Sequence, residues 1–493
     1  MYHYLKSICI IQELCYTVVR KGVDGTMVQN TVRISEIELR GFKNTQYGKI
    51  VMPSAGKRDY FSKTADILGI YGQNGSGKTA VIEAMGLVQV LLTGRPLSRE
   101  AVHYISKEAD VCTIMVRFII QTDSKKTMTE YSVQLKRVTG TEFEITREIL
   151  RGAAWNGEKF ESKKTLIDYE LHSEGGIFTP KYRLEDLIRE NDENKVNLTV
   201  AKKMARKDLV SFIFGPEGRG VFLSAAKGAS EEYAFLIEAL HQYAGMNLFV
   251  ISNAHAGAIS MNFMIPFTFR LDLGERVAKG DLLIRLDEPS VISKEHFTIA
   301  RQIIEEMNVV LDTIIPGLSI GIHDFGEQLS ERGETGYRVE LISKRGETII
   351  PLNYESEGIL KIISVLNALM CVYNNASMCL IIDELDSGVY EYLLGELLSV
   401  FEKGARGQLI FTSHNLRALE MINKNSIVFS TANSSNRYIR LQNIKSNHNL
   451  RDMYLRSITL GGQKETVYEE TDSVEIGRAF RRAGKAVKDG NQN

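Results

Sequence analysis

The segment GQNGSGKT, from Gly72 to Thr79, fits the pattern G-x-x-x-x-G-K-[ST]. Glycines at Gly72, Gly75 and Gly77 let successive backbone N–H groups turn toward phosphate oxygens with no side chain in the way. The backbone of Asn74, Gly75, Ser76, Gly77, Lys78, Thr79 and Ala80 is therefore expected to cradle the phosphates of a nucleotide. Lys78 would reach the β- and γ-phosphates as a point charge, and the Thr79 hydroxyl would ligate Mg2+. Far downstream, CLIIDELD is an apolar strand running into two acids. Adjacent carboxylates repel each other unless a cation is near. Asp383 is expected to hold Mg2+, and Glu384 to orient or deprotonate the attacking water. A further apolar run, GQLIFTSHN, ends in Thr412, Ser413 and His414. A neutral imidazole can hydrogen-bond a γ-phosphate or its water, which would make His414 the sensor of the triphosphate. NKNS, from Asn423 to Ser426, lacks the Asp of a guanine-reading motif, so nothing points to GTP.

These groups need rigid elements to hold them. DILGIY reads as a buried parallel strand before the loop, and TAVIEAMGLVQVLL as a helix after it. The N-terminus of that helix adds partial positive charge at the phosphates. MVQNTVRISEIELRGFKN reads as the first strand of a domain; TEYSVQLKRV and EFEITREIL alternate as strands. Residues 160–330 read as helical, with a loop break at GPEGRG (Gly215–Gly220). FVISNAHAGAISMNFMIPFTFRLDLG is too apolar and irregular for a coiled coil, so a compact helical subdomain is expected. SKEHFTIARQIIEEMNVVLDTIIPG is an amphipathic helix ending at Pro316–Gly317, and YRVELISKRGETIIPL a hairpin. In PLNYESEGILKIISVLNALM, Ser356 can cap a helix and Gly358 allows close backbone approach.

A chain of 493 residues implies two or three domains. With 44% hydrophobic and 25% charged residues it is globular, and its net charge of -1 supplies no field for nucleic acid or an anionic membrane. Cys9, Cys15, Cys112, Cys371 and Cys379 form no metal-ligand spacing and read as reduced thiols of a cytoplasmic protein. No uncharged apolar stretch is long enough for a membrane helix, and MYHYLKSICIIQELCYTVVRKG lacks a cleavage site.

The order of phosphate loop, long interval, acid pair and strand ending in His resembles ABC-type ATPase heads, including SMC-like proteins. ISEIELRGFKN, YESEG and IDELDSGVYEYLLGELL look like the AAA-type ATPases of the OLD-like group, and are similar to ATPase subunits of bacterial anti-phage systems. The resemblance implies an α/β fold, an ABC-type P-loop NTPase head (mixed sheet with flanking helices), split by a largely helical insertion. The divisions are then an extension at 1–26, head halves at 27–150 and 336–435, the insertion at 151–335, and a C-terminal segment with a basic tail at 436–493. It further implies that ATP and Mg2+ are bound and that ATP is hydrolysed. Ser356 and Gly358 would begin a signature helix closing over the nucleotide of a second head, although Glu357 and Ile359 depart from the usual LSGGQ. Asp386 would lie in the loop crossing between heads, and Gln121 would ligate Mg2+. The partners implied are a homo-oligomer (a head-to-head dimer or a larger ring), a toxic effector and a phage-encoded trigger. OLD-type nucleases carry a TOPRIM domain after the head, but fewer than about 80 residues follow His414 and hold no DxD cluster. A TOPRIM-type nuclease would then be a separate chain. Two other readings stand beside this one: an SMC-like ATPase clamping DNA, and a scaffold that binds ATP with little turnover.

Overall fold

The runs DILGIY, CLII and QLIFT are neighbouring parallel strands in the computed structural model. It describes residues 16–20 and 30–489 except 56–64, 123–124, 174–175, 225–230, 273–275, 330–332, 334, 442–448, 461–462 and 470. The described residues open with β1 (Tyr16–Arg20), β2 (Thr31–Phe42), β3 (Thr45–Val51), β4 (Asp66–Tyr71) and α1 (Lys78–Leu92). Four strands follow: β5 (Val111–Gln121), β6 (Lys126–Arg137), β7 (Phe143–Ala154) and β8 (Lys164–Glu170). Next come α2 (Lys181–Glu190), α3 (Glu193–Asp208), α4 (Pro216–Ser224), α5 (Glu231–Met246), β9 (Leu248–Ile251) and α6 (Asn253–Ser260). β10 (Met264–Asp272), β11 (Arg276–Arg285), β12 (Ser290–Ser293), α7 (Lys294–Ile314), β13 (Leu318–Leu329), β14 (Thr335–Arg345) and β15 (Thr348–Pro351) lead to α8 (Glu357–Asn374). The chain closes with β16 (Cys379–Ile382), α9 (Glu391–Gly404), β17 (Gln408–Thr412), α10 (Ala418–Met421), β18 (Ile427–Ser430), β19 (Tyr438–Ile439), α11 (Leu450–Leu460) and α12 (Ser473–Asp489).

One six-stranded sheet has the order β19-β18-β4-β17-β16-β9, parallel from β18 to β9. Its strands are short apolar runs buried on both faces, as parallel strands must be. A second, antiparallel sheet has the order β3-β2-β5-β6-β7-β8. Helix α1 joins them: Val81, Ile82 and Met85 share a core with Ile34 and Phe118 of one sheet and Ile381 and Ile410 of the other. The architecture is thus mixed α/β with flanking helices.

The interval 151–335 is less helical than its periodicity suggests. Five helices, α2 to α6, lie among the described residues of 181–260 with β9 between the last two, and α7 is as expected, capped by the Ser293 hydroxyl accepting from the His296 N–H. Strand β9, however, pairs with β16 and completes the parallel sheet. Strands β10 and β11 form a three-stranded sheet with β1, so residues 16–20 of the N-terminal extension are built into the fold. β10 hid because Met264 to Phe269 are all buried, which erases the alternation that betrays a strand. GPEGRG is not a loop break, for α4 begins at Pro216; proline suits a first helical position, where no N–H partner is lost. The basic tail is helical as α12 up to Asp489; residues 490–493, Cys9 and Cys15 lie outside the described residues. Among the described residues only α8 is long and apolar enough to cross a membrane, and 67% of it is buried in the protein.

Helix α8 packs into two cores at once. Leu360, Ile363 and Leu366 pack with Ile265, Phe267 and Ile303 of the inserted region. Val365, Ala368 and Val372 pack instead with Leu380 and Ile382 of the acid strand.

On the antiparallel sheet, Glu130 faces Arg117 on one neighbouring strand and Arg151 on the other. It receives both guanidinium groups, at 3.1 and 2.8 Å, and the Lys163 ammonium at 2.6 Å. Burial alone would raise this carboxyl, but hydrogen bonds from Lys163, Arg151 and Arg117 hold it down at about 2. A carboxylate depressed on folding contributes stability that is fully present above its unfolded pKa and lost as pH falls toward the folded value. Glu130→Gln takes the anion from Arg151 and Lys163 and leaves Arg117 only Glu36, and is expected to cost about 2–4 kcal/mol at pH 7. The deficit should shrink between pH 4.5 and 2, as read by denaturant melts of both proteins.

Candidate nucleotide site

Because β4, β17 and β16 are adjacent and parallel, their carboxyl ends lie side by side, about 5 Å from strand to strand. From those ends come the phosphate loop, the residues Ser413 and His414, and the acids Asp383 and Glu384. This crevice at the strand ends is where open parallel sheets bind ligands.

The loop enters α1 through Gly77, whose φ of 91° is left-handed and suits glycine. Neighbouring segments hold its carbonyls: Asn44 Nδ2 donates to the Gly75 carbonyl at 2.5 Å and the Tyr438 hydroxyl to that of Gly77 at 2.7 Å. The Ser76 and Ser430 hydroxyls bond each other, and the Gln73 side-chain amide bonds the Glu469 backbone in both directions, at 3.0 and 3.3 Å. Arg437 binds the Thr431 and Asn44 carbonyls. Lys78 is buried and donates to the Gly72 and Gln73 carbonyls, at 2.9 and 3.1 Å. Burial lowers its ammonium, while Asp383, Glu384 and Asp386 pull the other way. A phosphate arriving here would replace weak neutral acceptors with charged ones.

The Thr79 hydroxyl lies 3.4 Å from Asp383 Oδ1, across 304 residues of sequence. Thr412 positions both acids: its hydroxyl donates to Asp383 Oδ1 at 2.5 Å and accepts the Glu384 N–H at 2.7 Å. Glu384 sits at φ 47°, a left-handed conformation that costs a non-glycine residue about 1 kcal/mol or more and is typical of sites where a side chain must be aimed. Asp383 Oδ2 is buried without a partner. Such an orphaned oxygen beside a threonine hydroxyl fits Mg2+, which takes one or two protein ligands and fills the remainder with water and phosphate oxygens. Among the described residues there is no group of three or more His, Cys, Asp or Glu that could hold a metal, so phosphate would have to complete the shell. Thr79 and Asp383 would hold the ion, whose charge neutralises the phosphates.

His414 is exposed, and its backbone N–H donates to Asp386 Oδ2 at 2.9 Å. Partial desolvation and then the Lys78 charge push the imidazole below its ordinary value, against the pull of Asp386, Glu384 and Asp383. The shift favours the neutral imidazole, the form able both to donate and to accept.

Ser356 caps α8 as the spacing suggests, its hydroxyl accepting the Ile359 N–H at 3.4 Å, and it is exposed. Gly358 abuts the backbone of Gly388, where a Cβ would fall 1.9 Å from the carbonyl oxygen. The two acids of this turn are occupied elsewhere: Glu355 pairs with Arg345 at 2.9 Å, and Glu357 accepts the Ser260 hydroxyl. Gln121 is not brought to the site. It pairs with Thr31 at the end of β2 remote from Asn44 and the loop, and the 12-residue strand between spans about 40 Å.

Residues 36–233 match the family described as AAA domain. No curated protein matches the chain. Among solved structures, the SMC head bound to the C-terminal winged-helix domain of ScpA is 13% identical, with a TM-score of 0.38 over 82% of this chain and 97% of that one. The Pyrococcus furiosus Smc head with an extended coiled coil is 14% identical, TM-score 0.35, over 83% and 96%. The SMC head domain from Thermotoga maritima is 14% identical, TM-score 0.35, over 83% and 99%. The AAA domain match agrees with what the geometry shows, a phosphate loop, an acid pair and a histidine on adjoining parallel strand ends, the makings of a P-loop nucleotide site.

Proposed function

We propose that this chain is an ATP-hydrolysing switch in bacterial anti-phage defence, of the kind represented by the ATPase subunit of the PARIS system. The observation that carries the ATPase part is the convergence of Thr79, Asp383 and Thr412 from segments far apart in sequence. Lys78 and Thr79 bind the triphosphate with Mg2+, Glu384 directs water at the γ-phosphate, and His414 reports its presence. Ser356 and Gly358 of a second copy close over the nucleotide, with Asp386 in the loop between the heads. Exposure of Ser356 at the start of an 18-residue helix supports that role, because helix N-termini attract phosphate. Because α8 packs on both the acid strand and the inserted region, closure at its N-terminus is transmitted to the insertion. ATP shifts the open–closed balance only by its differential affinity for the two states. Resemblance to the anti-phage ATPases names the output: a separate TOPRIM-type nuclease, held or released when a phage component arrives.

Mixing tests the trans contact. A Ser356→Arg chain has an intact Glu384 but no partner serine; a Glu384→Gln chain supplies the serine. The mixture is expected to hydrolyse ATP faster than either chain alone. Turnover in the mixture equal to the average of the separate samples would refute closure by a second copy.

A further inference from the structure

The first turns of α12 stand in solvent on every side: from Ser473 to Ala483 each residue is exposed except Gly477, which is half-buried. The helix nevertheless starts well. The Asp472 carboxylate accepts the Val474 and Glu475 N–H groups, at 2.7 and 3.2 Å, and Glu475 pairs with Arg478 at 2.5 Å. Helical spacing puts Ile476, Phe480 and Ala483 on one side and Arg478, Arg481 and Arg482 on the other, with Phe480 77% exposed. Helices draw most of their stability from packing an apolar face, so this one is incomplete alone. Its root is fixed at the nucleotide site. Ser473 follows Glu469 by four residues, at most about 14 Å of chain, and the Glu469 backbone is bonded to Gln73 of the phosphate loop. Glu465 holds the same segment by accepting from the Asn433 and Asn436 amides, both at 2.8 Å.

A surface of opposite charge lies where α8 begins. The Gly358–Gly388 contact sets the Ser356 turn against the segment entering α9. Tyr354, Tyr390 and Tyr392 there are 74%, 69% and 50% exposed. Along α9, Tyr392, Glu396 and Val400 recur at intervals of four, all exposed, with Glu391 also in solvent. Arg417 lies over the Tyr392 ring at 4.8 Å, but its charge is matched by Glu420.

We propose that α12 is a clasp between copies: in the closed pair it lies on the aromatic and acidic face that Tyr390, Glu391, Tyr392 and Glu396 of a second copy form beside its Ser356 turn. This rests on the closure in trans proposed above and names the surfaces that meet next to the nucleotide. Closure carries the Ser356 turn of the second copy to the phosphate loop, and so carries that face to the loop at which α12 is rooted. There Ile476 and Phe480 meet tyrosine rings, and the arginines meet carboxylates. Tyrosine and arginine are the residues that supply most of the energy at protein interfaces. Each copy carries both surfaces, so a two-fold pair makes two identical clasps.

The test uses the full chain carrying Glu384→Gln, with its assembly in ATP and Mg2+ followed by sedimentation velocity. One variant of that parent adds Arg481→Glu and Arg482→Glu, the other Glu391→Lys and Glu396→Lys. All four positions are exposed, so Tm should stay near that of the parent. Each variant alone is expected to assemble at least about ten-fold more weakly, because like charges then face each other at both clasps. In a mixture of the two, both clasps again join opposite charges, and association should return to within about three-fold of the parent. A mixture that assembles no better than either variant alone overturns the proposal. Parent-like assembly of both variants also overturns it, while leaving closure itself intact; if the arginine variant has at the same time lost binding to phosphatidylserine vesicles, α12 belongs to a membrane surface instead. A parent that binds ATP yet stays unassembled overturns closure in trans and the clasp with it.

Discussion

Lys78→Ala is expected to abolish measurable ATP binding and, with it, any defence phenotype. The lysine is the loop's only side-chain cation, and its ammonium is already held at the Gly72 and Gln73 carbonyls, poised at the mouth of the loop. Removing one partner of a desolvated, hydrogen-bonded charge pair costs about 2–5 kcal/mol, roughly 30-fold to several thousand-fold in Kd. The fold should tolerate the change. Without an anion, the buried ammonium is itself a burden, as the lowering of its pKa by burial indicates. Thermal melting of the free variant is therefore expected near wild type, while the stabilisation that saturating ATP confers, about 2.7 kcal/mol at a hundred times Kd, disappears. Isothermal titration and paired melts separate the two effects. Wild-type affinity in the Ala variant would remove GQNGSGKT from nucleotide binding altogether.

The chemistry of that loop was legible because it is local: eight consecutive residues carry the turn, the charge and the metal hydroxyl. The acid pair and the capped helix at Ser356 were legible for the same reason, each being a strand or helix end whose residue types make sense only at an end. What stayed hidden depends on pairing. Thr412 is an unremarkable strand residue until β17 is known to lie beside β16, when its hydroxyl proves to bridge Asp383 and Glu384. Gln121 resembles a metal ligand at a strand terminus, yet antiparallel register with β2 puts that terminus at the wrong end of the sheet. The four residues of β9 are too few to signal a strand inside a helical stretch, although they complete the parallel sheet. The bond between Gln73 and Glu469 joins residues 396 apart, with polar side chains that no periodicity distinguishes.

Glu384→Gln should give a chain that binds ATP as tightly as wild type but hydrolyses it roughly 10²- to 10⁴-fold more slowly, the usual contribution of a general base. Glutamine matches glutamate in shape, and the backbone that aims the side chain is fixed independently of the carboxylate. The Glu384 N–H is tied to the Thr412 hydroxyl, and Thr412 is in turn tied to Asp383. Binding, which relies on Lys78, Thr79 and Asp383, is then spared. Because closed heads would open only after hydrolysis, the variant should accumulate as a larger assembly in ATP. Light scattering during gel filtration would detect it, and wild type under the same conditions would return to its free state as ATP is consumed. The population argument makes this sharper: moving from mostly open to mostly closed requires about 10⁴-fold preference of ATP for the closed form, so a stalled assembly reports that preference directly. Turnover at the wild-type rate would take Glu384 out of the chemistry and leave its strained φ of 47° without a catalytic explanation.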